Sequence, residues 1–457
     1  MSARIAVVGA GVSGLVAALR LRQALGDDAV IDILEAGEST GGILQTVEVG
    51  GRPVDVGAEA FIVRRPEAVD LVAELGLTDR VVAPTGARPA IWANGGLHPL
   101  PSPALMGIPA SADIVAGIAD PADVDRIRGE ADRPLSWRPG TDVSVGELVA
   151  DRFGPSVVAR CVDPMLGGVY SSLAGDIGLR EALPALALRL DQGATSLTGA
   201  VTDILAASTG TGPVFGTLVG GYRVLLDALV DAARPTVHLG ARVTGLSRTG
   251  DRWAVHGPVE ATYDGVILAV PAWIAGELLA TQAPDLAPTL RAVEPASSVV
   301  LSLALAPGTD LPAHSGVLVA TGEDLHAKAF TLSSRKWAHL GRPDRPVSVR
   351  ASFGRYGAPI ADDALDSLRG QALADLDRIC AAAGVAPASG HVIDVWQQRW
   401  TGGLPRYAPG HLARMAEVLG HRPTGLALAG SSYAGVGVPA CIGQAGRAAR
   451  DLLTDLH

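Results

Sequence analysis

Apolar residues in this chain fall into runs with different periods, and each run predicts an element. Ile5–Val8 is short, β-branched and unbroken, and it ends at a glycine, as a strand buried in a parallel sheet should. A helix is predicted from about Val12 to Leu25, then a second strand over Val30–Leu34. Residues 67–78, EAVDLVAELGLT, read as an amphipathic helix stopped by Gly76. A polar, turn-rich region follows, through WANGGLHPLPSPALMGIPAS. Ser144 with Glu147 three residues on offers a capped helix start. Pro155 opens another helix that runs through Cys161 and stops at Asp163-Pro164. Residues from about 110 to 210 read as mostly helical. Strands are predicted at Val237–Leu239, Arg242–Leu246 and Trp253–His256, with a continuous apolar strand over Asp264–Trp273. SVVLSLAL and PVSVRASFG, with the periodic stretch Ala364–Ala383, fit a second sheet with a packed helix. Near the end, Leu426–Ala429 reads as a strand and Gly430–Gly437 as a loop of small residues. A helix follows with Pro439 in its first turn and Ile442, Ala445, Ala449 and Leu452 on one face.

The first strand and helix enclose G-x-G-x-x-G. Gly9 permits the tight turn, Gly11 lets a pyrophosphate approach the backbone, and Gly14 lets the helix sit close to the strand. Val12 and Ser13 open the helix whose free N–H groups face the phosphates. Glu35, followed by Ala36, comes at the interval that suits an acceptor for ribose hydroxyls. These features predict a dinucleotide site without choosing between NAD and FAD. The next segment favours flavin: the glycine pair Gly41 and Gly42 allows backbone to lie against a flat or extended ligand, and GRPVDVGAEAF ends in another glycine turn at Gly57 and Ala58. At the other end, the helix after Gly435 and Gly437 directs its positive end into the small-residue loop, where reduced flavin carries negative charge. Cys441 in its first turn reads as a packing residue rather than a reactive thiol.

Composition narrows the class. The chain has 457 residues, 48% of them hydrophobic, enough for two or three domains. A net charge of -10 argues against a nucleic-acid partner. Three dispersed cysteines suit a reducing, cytoplasmic setting, and the first strand leaves no room for a cleavable leader. No run reaches the ~20 apolar residues of a membrane span, while peripheral membrane contact is left open. Histidine and cysteine spacing offers no metal site, and GSSYAG lacks the G-x-S-x-G nucleophile elbow.

Motifs from end to end carry a resemblance: VVGAGVSGLVAALRL, GGILQT, DVGAEAFIVRRPE, GGLHPLPSPALMGIP, DPMLGGVYSS, TLVGGYRVLLDAL, DGVILAVPA, QRWTGGLPRYAPGH and GSSYAGVGVPACIGQAGRAA. The chain resembles the oxygen-dependent porphyrinogen oxidases of the flavin amine oxidase superfamily, and among them the bacterial coproporphyrinogen III oxidase branch. The resemblance implies an α/β fold with a discontinuous, Rossmann-like FAD domain (residues 1–85, 215–285 and 396–457). It also implies a mixed-sheet substrate domain (86–109 and 286–395) and a helical insertion (110–214). The implied cofactor is non-covalent FAD, with Gly42, Val243, Val436 and Gly437 joining the N-terminal residues around it. Ile43 stands where many members have Arg or Lys. The implied reaction oxidises a porphyrinogen to a porphyrin, removing six electrons in three flavin cycles, with O2 reduced to H2O2, in haem biosynthesis beside later enzymes of that pathway.

Anionic propionates call for cations. The resemblance favours Arg65, with Arg64, Arg88, Arg399 and Arg406 as further candidates. Met165, Leu166, Val169 and Tyr170 are candidates for an apolar wall beside the ring. No catalytic base is assigned. Oxidation of protoporphyrinogen IX stays open as an alternative, as does a non-catalytic flavin or porphyrin carrier.

Overall fold

A computed structural model of the protein describes residues 3–207, 210 and 212–456. Its first layer is a five-stranded, wholly parallel sheet in the order Thr236–His238, Val30–Leu34, Arg4–Val8, Gly265–Leu268 and Leu426–Leu428. These strands come from both ends and the middle of the chain, so the nucleotide layer closes only when the last segment pairs with Gly265–Leu268. The helices Val12–Leu25 and Val438–Leu456 pack together on one face, where Leu15, Leu19, Ile442, Ala445, Ala449 and Leu452 share one core. The other face carries a three-stranded antiparallel sheet and the helices Ala272–Leu278 and His411–Gly420.

A second layer is a seven-stranded mixed sheet, in the order Val392–Pro405, Pro295–Leu305, Val347–Phe353, Ala329–Thr331, Gly316–Val319, Ala90–Ala93 and Gly96–Pro99. One of its faces is sealed by the helix Leu368–Ala382. The third body is helical, between Pro121 and Ala207. In it Ser144 and Glu147 form a reciprocal capping box at the start of Val145–Phe153. The buried Arg152–Glu130 pair, 2.7 Å apart, ties that helix to the Leu197–Ala207 helix, whose first N–H groups Glu130 also accepts.

Several sequence expectations need correction. Asp163-Pro164 does not end a helix. A wide π turn, Val158–Val162, runs into the helix Asp163–Tyr170, and Pro164 sits in its first turn, where no N–H is needed. The apolar run Asp264–Trp273 is strand only over Gly265–Leu268, because Pro271 turns the chain and Trp273 lies in the next helix. The strand expected at Arg242–Leu246 begins instead at Gly245. The Gly430–Gly437 loop contains a helical turn, Ser431–Ala434. The turn-rich region hides the hairpin Ala90–Ala93/Gly96–Pro99. Its turn places Asn94 and Gly95 both at positive φ, 52° and 72°, and its strand buries Ile91 and Trp92.

Candidate functional site

Steric limits fix the N-terminal loop. Gly9 has φ +100°, and a Cβ there would meet the Ala269 carbonyl oxygen at 2.5 Å. A Cβ on Gly14 would come within 2.0 Å of the Gly9 oxygen, so helix and loop touch backbone to backbone. Gly11 differs: a Cβ there meets nothing within 4 Å. The 14-residue helix that follows has neither a side-chain cap nor an acidic residue in its first turn. Open space at Gly11, before the uncapped helix end formed by Val12, Ser13 and Gly14, is a fitting cradle for a pyrophosphate. The Glu35 carboxylate accepts from Ala10 N and Gly37 N, both at 2.7 Å, which holds it and Ala36 at the loop's edge. The glycine pair lies on the same loop. Gly41 N donates to Ala10 O at 2.8 Å, and a Cβ on Gly42 would stand 3.3 Å from Gly11 Cα. Ala241 N donates to Glu35 O at 2.7 Å, bringing the segment of half-buried Val243 alongside Glu35.

Gly57 ties this loop to the second layer. A Cβ there would fall 1.7 Å from the Ile43 carbonyl oxygen, and Arg350 of the mixed sheet donates to Gly57 O at 2.6 Å. Ala58 is half-buried against the nucleotide-layer core. Glu59 follows, bonded to Lys336 at 2.9 Å and the Ser333 hydroxyl at 2.5 Å. Burial alone would raise its pKa, but Lys336 and Arg350 hold it down at about 2, so the carboxylate stays ionised.

The C-terminal loop is held by two side chains that the sequence reading did not single out. The Tyr407 hydroxyl accepts from Gly435 N at 2.7 Å and donates to Ser431 O at 2.6 Å. His411 Nε2 lies 2.7 Å from Ser432 O, so that nitrogen carries the proton. Burial pushes the His411 pKa down to about 4, leaving the ring neutral. Their ring centroids lie 4.4 Å apart, with the planes tilted by 37°. Val436 is half-buried and Gly437 exposed at the start of the 19-residue final helix. Cys441 is buried, its thiol pushed up to about 11, which removes thiolate reactivity at neutral pH. Trp400 donates from Nε1 to Val56 O at 2.9 Å and closes the cleft beside Gly57.

The free face of the mixed sheet forms the adjoining hollow. Val317, Phe330, Val349, Ala351 and Phe353 point into the sealed core. Leu318, Ala329, Thr331, Arg350 and Ser352, on the other face, keep accessible surface. The helix Asp163–Tyr170 crosses above them, and a Cβ on Gly168 would lie 4.0 Å from Leu318. Met165, Val169 and Tyr170 are partly exposed, whereas Leu166 is fully buried in the helical core, so its side chain is not part of an open wall. The Tyr170 and Tyr407 rings lie 5.9 Å apart, joining the helical body to the C-terminal loop.

The candidate arginines do not converge. Arg65 is half exposed and pairs with Glu67 on its own helix at 2.7 Å. Arg64 donates to the carbonyls of Gly210 and Gly212. Arg399 pairs with Asp362. Arg406 is taken by Glu294 at 2.7 Å and Asp176 at 3.3 Å, over the Tyr356 ring. Arg88 is exposed beside the strand that enters the mixed sheet. Among the described residues no cluster of ligands for a metal ion occurs, and no helix is long and apolar enough to cross a membrane.

Comparison with known proteins places this geometry. A model of the flavin-containing amine oxidoreductase family matches residues 12–453. A coproporphyrinogen III oxidase of Mycobacterium tuberculosis is 49% identical, covering 98% of this chain and 97% of its own. One from Bacillus subtilis is 27% identical, covering 99% and 98%. The crystal structure of an Exiguobacterium sp. 255-15 protein, proposed to be a protoporphyrinogen oxidase, superposes with a TM-score of 0.86 at 28% identity, covering 100% and 99% of the two chains. Cyclohexylamine oxidase of Brevibacterium oxydans shares the fold at a TM-score of 0.69 and 14% identity, with both chains fully covered. The chain belongs to the family of flavin-containing amine oxidoreductases and is closely related to bacterial coproporphyrinogen III oxidase.

Proposed function

We propose that this protein oxidises coproporphyrinogen III to coproporphyrin III in haem biosynthesis, with FAD as cofactor and O2 as electron acceptor, and that the porphyrin passes to a later enzyme of that pathway. The observation that carries the reading is 49% identity along nearly the whole chain to coproporphyrinogen III oxidases. The open cradle at Gly11 supports the cofactor independently. FAD would be held by Gly9, Gly11, Val12, Ser13, Gly14, Glu35, Ala36, Gly41, Gly42, Gly57, Ala58, Val243, Val436 and Gly437. When bound, it supplies the two-electron chemistry that the side chains lack and returns the electrons to O2.

The chain's own contribution is position, dryness and field. The accessible face of the mixed sheet and the Asp163–Tyr170 helix lie between Gly57, which Arg350 of that sheet bonds, and the Tyr407 loop, so a puckered macrocycle there would be held against the cofactor cleft. Tyr407 and neutral His411 clamp the loop from Ser431 to Gly435 without placing a charge in it. The start of the final helix adds a positive potential that favours negative charge gathering at that loop, by roughly 0.3–1 kcal/mol. No side chain is assigned as a dedicated base. The three cysteines are all buried and unpaired, in keeping with a cytoplasmic setting.

The test is a paired steady-state assay with coproporphyrinogen III and protoporphyrinogen IX, following porphyrin fluorescence and peroxide. Faster turnover of coproporphyrinogen III is expected. A large preference for protoporphyrinogen IX would reverse the substrate assignment, and no porphyrin from either would end the enzyme reading.

A further inference from the structure

The substrate proposed above carries four propionates, yet the candidate arginines are mostly committed elsewhere in the fold. One cation is placed differently. Lys328 lies just before the Ala329–Thr331 strand, its backbone paired to Ser352 O at 2.8 Å and to Val319 N at 3.0 Å. Both of its backbone partners are on strands that floor the hollow. Its Nζ donates to the Ser171 hydroxyl at 2.8 Å and to Gly354 O at 2.7 Å. Ser171 ends the Asp163–Tyr170 helix, in the left-handed region at φ 49°, and its carbonyl accepts from Tyr356 N at 2.7 Å. The ammonium therefore sits where the roof helix, the sheet and the 354–358 turn meet, bonded to the residue that directly follows Tyr170 in the roof.

Lys328 has no carboxylate within ion-pair distance among the described residues; its two partners are neutral oxygens. The residue after Gly354 is Arg355, whose guanidinium makes no hydrogen bond or ion pair among the described residues and whose charge repels that of Lys328. Asp163 is the acid whose field reaches Arg355, and its carboxylate is already taken by Ala174 N at 2.8 Å. Burial, then Arg355, pulls the Lys328 pKa down to about 7. Two like charges set together at an enclosed corner, with no carboxylate paired to Lys328 among the described residues, disfavour each other until an anion arrives. The Lys328 ammonium itself is buried, while the residue as a whole keeps some accessible surface, as do Ala329 and Ser352 on the hollow's floor.

We propose that Lys328, with Arg355 behind it, forms a carboxylate anchor at the roof-helix end of the hollow, and takes one propionate of the bound tetrapyrrole. The inference rests on the porphyrinogen reading and adds the group that orients the macrocycle. A single anchor at this corner fixes how the ring is turned, and so selects which edge reaches the cofactor. An ammonium bonded to a carboxylate and to two fixed oxygens has all three of its donors satisfied, which the protein alone does not achieve.

The test compares FAD-loaded wild type with Lys328→Met, which keeps the length and removes the charge. Dissociation constants are measured for coproporphyrin III and for its tetramethyl ester, which lacks carboxylates, beside KM for coproporphyrinogen III. The anchor requires the acid-over-ester preference to fall about tenfold or more in the variant, with KM rising in parallel. A lysine that only braces Ser171 and Gly354 would weaken acid and ester together, and an unchanged ratio overturns the proposal. Should Lys328→Met fail to load FAD, Arg355→Gln carries the same readout: the ratio must fall, and an unchanged ratio is decisive against the anchor. Wild-type turnover in the same preparation separates the two levels. Absence of porphyrin there overturns the functional reading, whereas normal turnover with an unmoved ratio overturns the anchor alone.

Discussion

Gly11 and Gly14 stand three residues apart in one motif, yet adding a methyl group to each should have opposite consequences. At Gly11 the backbone is extended, φ -68° and ψ 174°, and a Cβ has no protein atom within 4 Å. Alanine there loses a little as a helix cap and gains a little from a stiffer unfolded chain, so ligand-free stability should stay within about 1 kcal/mol of wild type. The same methyl group occupies the space assigned to the pyrophosphate. Overpacking of this kind costs about 1–3 kcal/mol, which corresponds to roughly 5- to 150-fold weaker FAD binding. At Gly14 the Cβ would be 2.0 Å from the Gly9 oxygen, and about 1 Å of retreat by the Val12–Leu25 helix is needed to relieve it. Gly14→Ala should therefore lower the melting temperature of the apoprotein itself. The assay is thermal unfolding of both variants with and without FAD, beside direct FAD titration. Wild-type FAD affinity in Gly11→Ala, or a large loss of its apoprotein stability, would refute the assignment of that space to the cofactor.

Two further outcomes follow from the same geometry. Tyr407→Phe leaves Gly435 N and Ser431 O without their partner, which should cost about 1–3 kcal/mol and slow turnover more than it weakens FAD binding; an unchanged kcat would remove Tyr407 from the loop clamp. Burial raises the Asp55 pKa to about 6 against Thr46 and Tyr222 N, which favour its ionised form, so the folded state holds a proton that the unfolded state releases. Its contribution to stability is present below the unfolded pKa and lost as pH rises from about 4 to 6, roughly 3 kcal/mol in all. Asp55→Asn keeps the acceptor and should flatten that part of the curve, and parallel pH–stability curves for the two proteins would contradict the assignment.

The nucleotide loop was legible because its constraints are backbone contacts that the motif spacing encodes: Gly9 is required by the Ala269 carbonyl at the end of the neighbouring strand and Gly14 by the Gly9 carbonyl, while Gly11 leaves open space. The Ser144 cap was legible for the same reason. The hairpin at Asn94-Gly95 could have been read from that dipeptide, but the prolines and glycines around it masked two short buried strands. Pro164 misled because a proline that closes one helix and a proline that opens the next look alike in sequence. The arginines were visible as charges, while their neutralisation depends on partners as distant as Glu294 for Arg406. Tyr407, His411 and Lys328 bond mainly to backbone carbonyls, a hydroxyl or an amide brought in by folding, and no sequence pattern marks such a partner.

The central claim is that a flavin clasped by the two ends of the chain takes electrons from a tetrapyrrole lying in the adjoining hollow. Anaerobic mixing of the FAD-loaded protein with coproporphyrinogen III tests it most directly. The account predicts loss of the visible flavin band, its return on admitting O2, and three peroxides for each porphyrin formed, as removal of six electrons in pairs requires. A flavin band that keeps its full absorbance under those conditions would contradict it.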